Sequence, residues 1–167
     1  MKKVNEEKVL DNVIDEFKNQ WALVCARKKD GSYNMCTISW GSIGELWSKN
    51  VVTVYIKPIR YTNDFLLDDD YFTVTFFNEP KCDALKVCGT KSGRDVNKTK
   101  EANLTPIILE NGVTFDGFKR VYVCKKLYQG QFKKEDFVNS QDIINKYYKE
   151  EPYHQFYVGE IIETIEN

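Results

Sequence analysis

A single histidine, His154, stands in a chain of 167 residues. A hydrolytic triad would have to use it, yet no G-x-S-x-G or other nucleophile motif accompanies it, and H-E-x-x-H is missing too. No phosphate-binding P-loop and no G-x-G-x-x-G turn is present, which excludes a P-loop fold and a Rossmann dinucleotide unit. Charge of one sign is also lacking: 24 basic residues against 25 acidic ones leave a net charge of −1. Such a chain has no broad field for gripping nucleic acid or an anionic membrane, so neither is an expected partner. Charges interrupt every apolar stretch near the amino terminus, and no later run approaches the roughly 20 residues of a membrane span. The cysteines, Cys25, Cys36, Cys82, Cys88 and Cys124, are odd in number and contain no C-x-x-C pair. Without a secretory signal they are expected to be reduced thiols in a cytoplasm, serving as small core residues rather than as metal ligands.

Aromatic residues, by contrast, are plentiful: ten Phe, ten Tyr and three Trp, 14% of the chain. That surplus suits strands, subunit interfaces or a planar ligand. No repeat, linker or low-complexity tract divides the sequence, so residues 1–167 are expected to form a single domain. Apolar positions Val9, Leu10, Val13, Ile14 and Phe17 predict a helix over residues 4–17 with one apolar face. Residues 21–26 read as a buried strand, Asp30-Gly31 as a turn, and residues 35–40 as the returning strand. Residues 51–56 give the strongest strand signal, which Pro58 ends. A short helix is expected over 63–67, a strand over 71–77, and a helix over 80–88 with proline near its first turn. Ser92-Gly93-Arg94-Asp95 has the form of a capping box and predicts a helix running towards Ala102. Residues 113–115, 120–127 and 156–162 supply later strands. Strands outnumber helices, so the fold class is mainly β: a barrel or closed sheet with short peripheral α-helices.

With no catalytic acid, base or nucleophile in view, a bound cofactor is the expected source of any chemistry. Three segments suit one. The first is Asn34-Met35-Cys36-Thr37-Ile38-Ser39-Trp40-Gly41. Strand alternation puts Thr37 and Ser39 on one face and Cys36, Ile38 and Trp40 on the other. Hydroxyls and strand-end amides suit the polar edge of a flat ring, with Trp40 packing nearby; a half-buried strand with polar outer positions has the same pattern. The second is Arg60-Tyr61-Thr62-Asn63-Asp64. Thr62 suits the N-cap of the following helix, whose free amides beside Arg60 suit a phosphate. An ordinary cap beside a solvated arginine is the alternative. The third runs from Gly89 to Lys98, where small residues precede a helix that places Arg94 and Lys98 four apart on one face. A surface loop and a solvated basic helix read equally well there. Two anion-ready helix starts in a near-neutral chain weigh more together than either does alone.

In this order and spacing, Asn34…Thr37-Ile38-Ser39-Trp40-Gly41, Arg60-Tyr61-Thr62 and Ser92-Gly93-Arg94-Asp95-Val96-Asn97-Lys98 resemble the flavin reductase family, and within it the flavoredoxin-like branch. The likeness extends to Cys124-Lys125-Lys126-Leu127-Tyr128 and to the closing Tyr153-His154-Gln155-Phe156-Tyr157-Val158-Gly159-Glu160-Ile161. The resemblance implies an FMN-binding split β-barrel, usually a homodimer with the flavin near the subunit interface. It implies that Cys36, Thr37, Ile38, Ser39 and Trp40 line the ring, with Asn34 and Trp40 as flavin contacts. Thr62 and Lys98 match phosphate-side contacts, helped by Arg60 and Arg94, while Tyr61 and Ser92 lie in the same motifs. His154, in the tail motif, is a further candidate, with a surface or interface imidazole as the alternative. Two positions depart from the pattern: Cys36 stands where relatives commonly have Met, and Asn97 where they commonly have Asp. The implied activity is an FMN-dependent oxidoreductase of the NAD(P)H:flavin reductase type, or else a carrier that holds FMN without turning over NAD(P)H.

Overall fold

A computed structural model describes residues 1–8 and 12–167. Ten strands form among them: β1 (Lys2–Val4), β2 (Ala22–Arg27), β3 (Tyr33–Ile38), β4 (Gly41–Leu46), β5 (Lys49–Ile56), β6 (Tyr71–Phe77), β7 (Pro106–Leu109), β8 (Gly112–Phe115), β9 (Phe118–Gln131) and β10 (Gln155–Glu166). Eight of them join one antiparallel sheet in the order β3-β2-β6-β9-β10-β5-β4, with β1 added on β10, while β7 and β8 pair as a separate hairpin. The sheet rolls around a core, since Val24, Cys36, Val54, Val74, Tyr122 and Tyr157 from six different strands meet in one apolar cluster. β2 is buried on both faces. Ala22 and Val24 point into that core, whereas Leu23 and Cys25 lie under Leu85, Cys88, Val113 and Phe115. This double burial is why its sequence is an unbroken apolar run rather than an alternating one.

β10 serves three neighbours. It pairs with β9 along its length, with β5 through its first half and with β1 through its end. Register shifts at Val158/Gly159 and Ile161/Glu163 give it the bend this requires. At Gly159 a Cβ would come within 2.6 Å of the Phe72 ring and 2.7 Å of the Cys124 Cβ, so the close approach at the bend admits only glycine.

The expectation of a closed sheet is corrected. β3 and β4 are both edges, and no backbone pairing joins them. Only Ser39 and Trp40 connect these two strands, and β4 turns away to pair with β5, where Gly41 opposite Val54 is the terminal pair. The barrel is therefore split.

Four other expectations shift. Residues 4–17 are not one helix: Lys2–Val4 gains backbone pairing with β10, and α1 (Val13–Asp15) starts only after the Asn12 side chain caps the amides of Ile14 and Asp15. It widens into a π-helical turn, Glu16–Gln20, that delivers Phe17 to the core, while Ile14 stays exposed. Val9 and Leu10 lie outside the described residues. α2 (Tyr61–Asp68) begins earlier than expected, with Arg60 rather than Thr62 at the N-cap. α3 (Asp83–Thr90) begins after Pro80 because Lys81 takes a left-handed φ of 48°. Ser92 opens a turn, not a helix: its hydroxyl accepts from the Arg94 amide two residues on, the local bond with which serine competes against helix. α4 (Lys98–Glu101) starts where the Asn97 side chain caps the Lys100 amide, so Arg94 and Lys98 share no helical face. α5 (Gln141–Tyr147), β4 and β7 carried no signal strong enough to predict.

Candidate functional site

The split creates a cleft. β3 has no strand on its outer side, and β5 continues through Tyr55 and Ile56 beyond the end of β4. Between these two unpaired edges lies a cavity of about 260 Å³. Cys36, Thr37 and Ile38 of β3 line one side together with Ser39 and Trp40 of the link to β4, and successive strand residues do so where the strand presents its edge. Tyr55, Ile56 and Lys57 line the other side, and Arg60, Tyr147 and His154 complete it. Two further cavities adjoin it. One, of about 270 Å³, shares Thr37, Ile38 and Ser39 and reaches Trp21 and Leu85; the other, of about 370 Å³, shares Ser39, Trp40 and Tyr55.

The polar groups of this cleft differ in how far they are committed. Thr37 donates its hydroxyl to the Leu85 carbonyl at 2.6 Å, which ties β3 to α3. Ser39 and Arg60 are exposed, and neither side chain makes a hydrogen bond or ion pair among the described residues. Lys57 is ion-paired with Glu151. Burial pushes the Cys36 thiol above its usual range, so it stays protonated, although Thr62, Lys98 and Arg60 oppose the shift. His154 is buried, its Nδ1 3.0 Å from the Tyr148 hydroxyl and its ring 4.9 Å from that of Trp40. Burial, with Lys57 and Arg60 nearby, drives its pKa down to about 4 against the pull of Glu151. The imidazole is neutral at neutral pH.

The other residues expected at a site gather on a second, separate cavity of about 570 Å³, which shares no lining residue with the cleft or its two extensions and is lined by Asn34, Tyr61, Gly93, Arg94 and Lys98 among others. Here the three sequence segments are knit together. Asn34 donates through Nδ2 to the Thr62 hydroxyl at 2.9 Å, both groups being buried. Gly93 closes over this pair so tightly that a Cβ there would stand 2.2 Å from Asn34 Oδ1. Arg94 donates to the Ile59 carbonyl at 3.2 Å and to Asp64 at 2.8 Å, with its guanidinium over the Tyr61 ring. Lys98 is not the flexible, screened cation that its sequence suggests. It is 5% exposed, and its ammonium donates to the carbonyls of Met35 and Cys88, each at 2.8 Å. Burial lowers its pKa.

The expected site residues are thus divided. Cys36, Thr37, Ile38, Ser39, Trp40, Arg60 and His154 line the cleft between β3 and β5; Asn34, Tyr61, Arg94 and Lys98 line the second cavity; Thr62 and Ser92 line neither. Sequence reasoning missed Tyr55, Ile56, Lys57 and Tyr147. The signal for the first three was that the strongest strand runs on to Pro58 with no partner strand to cover its end.

An open antiparallel barrel with a cleft at its split defines the class of protein. A model of the flavin reductase like domain matches residues 14–124, and the chain belongs to that family. No curated protein matches it. Among solved structures it is similar to flavoredoxin from Methanosarcina acetivorans, at 18% identity and a TM-score of 0.70, over 100% of this chain and 75% of that one. An FMN-binding protein from Thermus thermophilus gives 20% identity and a TM-score of 0.70, over 100% and 82% of the two chains. The styrene monooxygenase flavin reductase of Pseudomonas putida S12 gives 14% and 0.64, over 89% and 79%. At these identities the likeness is one of fold.

Lys98→Met removes both charge-assisted bonds and leaves two carbonyls without their donor. The free energy of unfolding in urea is expected to fall by about 3 kcal/mol. An unchanged urea midpoint would show that Lys98 does not brace β3 against α3.

Proposed function

We propose that the chain binds FMN in the cleft between β3 and β5 and passes electrons through it as an NAD(P)H:flavin reductase. The observation that carries this reading is the unpaired edge of residues 36–40 facing an uncommitted arginine across one cavity. A flat heteroaromatic ring needs donors and acceptors along its polar edge and an apolar contact beside it. The free strand edge, the Ser39 hydroxyl and the Trp40 ring supply these. A phosphate needs a cation without another partner, and Arg60 meets that need where Arg94 and Lys98, each already bonded to protein groups, do not. A cavity of about 260 Å³ is small for a ligand site, which usually takes roughly 300–1,000 Å³. The two adjoining cavities extend it along the same strand.

Bound FMN would supply the hydride and electron chemistry, as cofactors do. The chain's own contribution is to hold the ring against the strand edge, to neutralise the phosphate and to keep its thiols out of the reaction. Burial keeps Cys36 protonated and so a poor nucleophile. Neutral His154 places no full positive charge in the cleft.

The fold shared with flavoredoxin favours a second reading, a carrier that holds FMN without oxidising NAD(P)H. The absorbance spectrum of the purified protein, before and after anaerobic NADH and then NADPH, separates the two. A yellow protein bleached by either nucleotide is the expected result. Yellow but unbleached protein indicates the carrier; protein that stays colourless after incubation with FMN contradicts both.

We also propose a homodimer. Trp47 and Tyr128 are 57% and 52% exposed, with ring centroids 6.4 Å apart, and Tyr128 stacks on Phe156 across β9 and β10. A row of rings this open suits an interface between copies. Light scattering is expected to give twice the chain mass, and Trp47→Glu to halve it; a monomeric wild type overturns the assignment.

A further inference from the structure

Tyr148 was not among the residues that sequence reasoning singled out, yet it makes the one hydrogen bond that the His154 side chain has among the described residues. Both side chains are buried, at 8% and 7% exposure, and His154 lies against Trp40 and lines the cleft between β3 and β5. We infer that Tyr148 is a positioning residue: its phenol donates to His154 Nδ1, fixing the proton on Nε2, so that the imidazole offers a neutral N–H donor to an acceptor oxygen of the ligand in the cleft. This rests on the reading that the cleft holds FMN.

The direction of the bond follows from what each alternative leaves unmade. Burial raises the Tyr148 pKa, so the phenol keeps its proton at neutral pH. If Nδ1 carried a proton and donated to the phenol oxygen, the phenol's own hydrogen would need another acceptor, and the described residues offer none: its other partner is the His154 backbone amide, itself a donor. With the phenol as donor, Nδ1 must be a lone pair, and a neutral ring then has its single proton on Nε2. An unmade bond in a buried site is costly enough to bias the two tautomers by about tenfold or more. The Nε2 atom has no partner among the described residues, although the ring lines the cavity.

The charge state follows from the surroundings. Lys57 and Arg60 oppose protonation, Glu151 favours it while paired with Lys57, and burial dominates, placing the pKa at about 4. A bond to the Nδ1 lone pair stabilises the neutral ring further. Removing the phenol hydroxyl therefore releases both the tautomer and part of the shift. The Tyr148 ring remains useful for packing, because it stacks on Tyr153 at 4.6 Å, so Tyr148→Phe keeps that contact and removes only the hydroxyl.

Because the chain has one histidine, nitrogen-15 labelling of histidine gives one pair of ring resonances, and long-range proton–nitrogen correlations assign them without ambiguity. In the ligand-free wild type at pH 7 the expected result is an unprotonated Nδ1, a protonated Nε2 and a titration midpoint near pH 4. In Tyr148→Phe the two nitrogens should move towards each other as the tautomers mix, and the midpoint should rise towards the ordinary 6.5. A proton on Nδ1 in the wild type, or an unaltered tautomer and midpoint in a Tyr148→Phe protein that still unfolds cooperatively, overturns the inference. Riboflavin and FMN then locate the acceptor. A shift of the Nε2 proton with both ligands places it on the ring, and a shift with FMN alone places it on the phosphate. No shift in protein that has turned yellow with FMN overturns the ligand contact while leaving the FMN reading intact. Failure to bind FMN at all would sink that reading and leave the tautomer measurement standing.

Discussion

The site depends on a backbone edge that the fold leaves unpaired. Two residues, Ser39 and Trp40, separate β3 from β4, and β4 pairs not with β3 but with β5, through the tight Trp47-Ser48 turn in which both residues have φ of 57°. β5 is longer than β4, so its last residues and the outer edge of β3 face each other with no strand between them. Buried amides and carbonyls normally find partners within the sheet, and an exposed edge invites aggregation. Here the edge is short, bounded by Trp40 and Arg60, and lies in a cavity of ligand-like chemistry. A flat ring with its own donors and acceptors is the natural partner for such an edge.

Around that edge, the protein spends its charged groups on bracing. Lys98 clamps the carbonyls of Met35 and Cys88 and so joins β3 to α3; Arg94 joins the 92–97 turn to α2; the Asn34–Thr62 bond joins β3 to α2 under Gly93. These bonds hold β3 against α2 and α3. Arg60 is left out of this network, which is what makes it available to a ligand. Whether a cation braces the fold or meets a ligand is decided by its partners, and partners three strands away are not visible in sequence spacing.

The strands were legible in the sequence because burial dictates their composition. Residues 71–77 form β6 as expected, and the unbroken apolar run of β2 reflects its two covered faces. β4 was not legible: four of its last five residues are exposed or nearly so, and its sequence, Gly-Ser-Ile-Gly-Glu-Leu, owes its extended form to pairing with β5 alone. Helix starts were misjudged wherever a hydroxyl had two local uses. Ser92 bonds an amide two residues on and makes a turn; Thr62 turns inward to Asn34 and leaves the N-cap to Arg60. The order of the motifs reached the family correctly, because that order survives such local errors. The burial of Lys98 did not follow, since motif spacing cannot tell a buried lysine from a free one.

The central claim is that FMN lies along the free edge of β3, facing the end of β5, and backbone amide shifts in an FMN titration of the isotope-labelled protein test it most directly. The account predicts the largest changes at Cys36, Thr37, Ile38, Ser39 and Trp40, with Tyr55, Ile56 and Lys57 responding across the cleft. Changes confined to Tyr33, Gly93, Val96 and Thr99 would place the flavin in the second cavity and contradict the account.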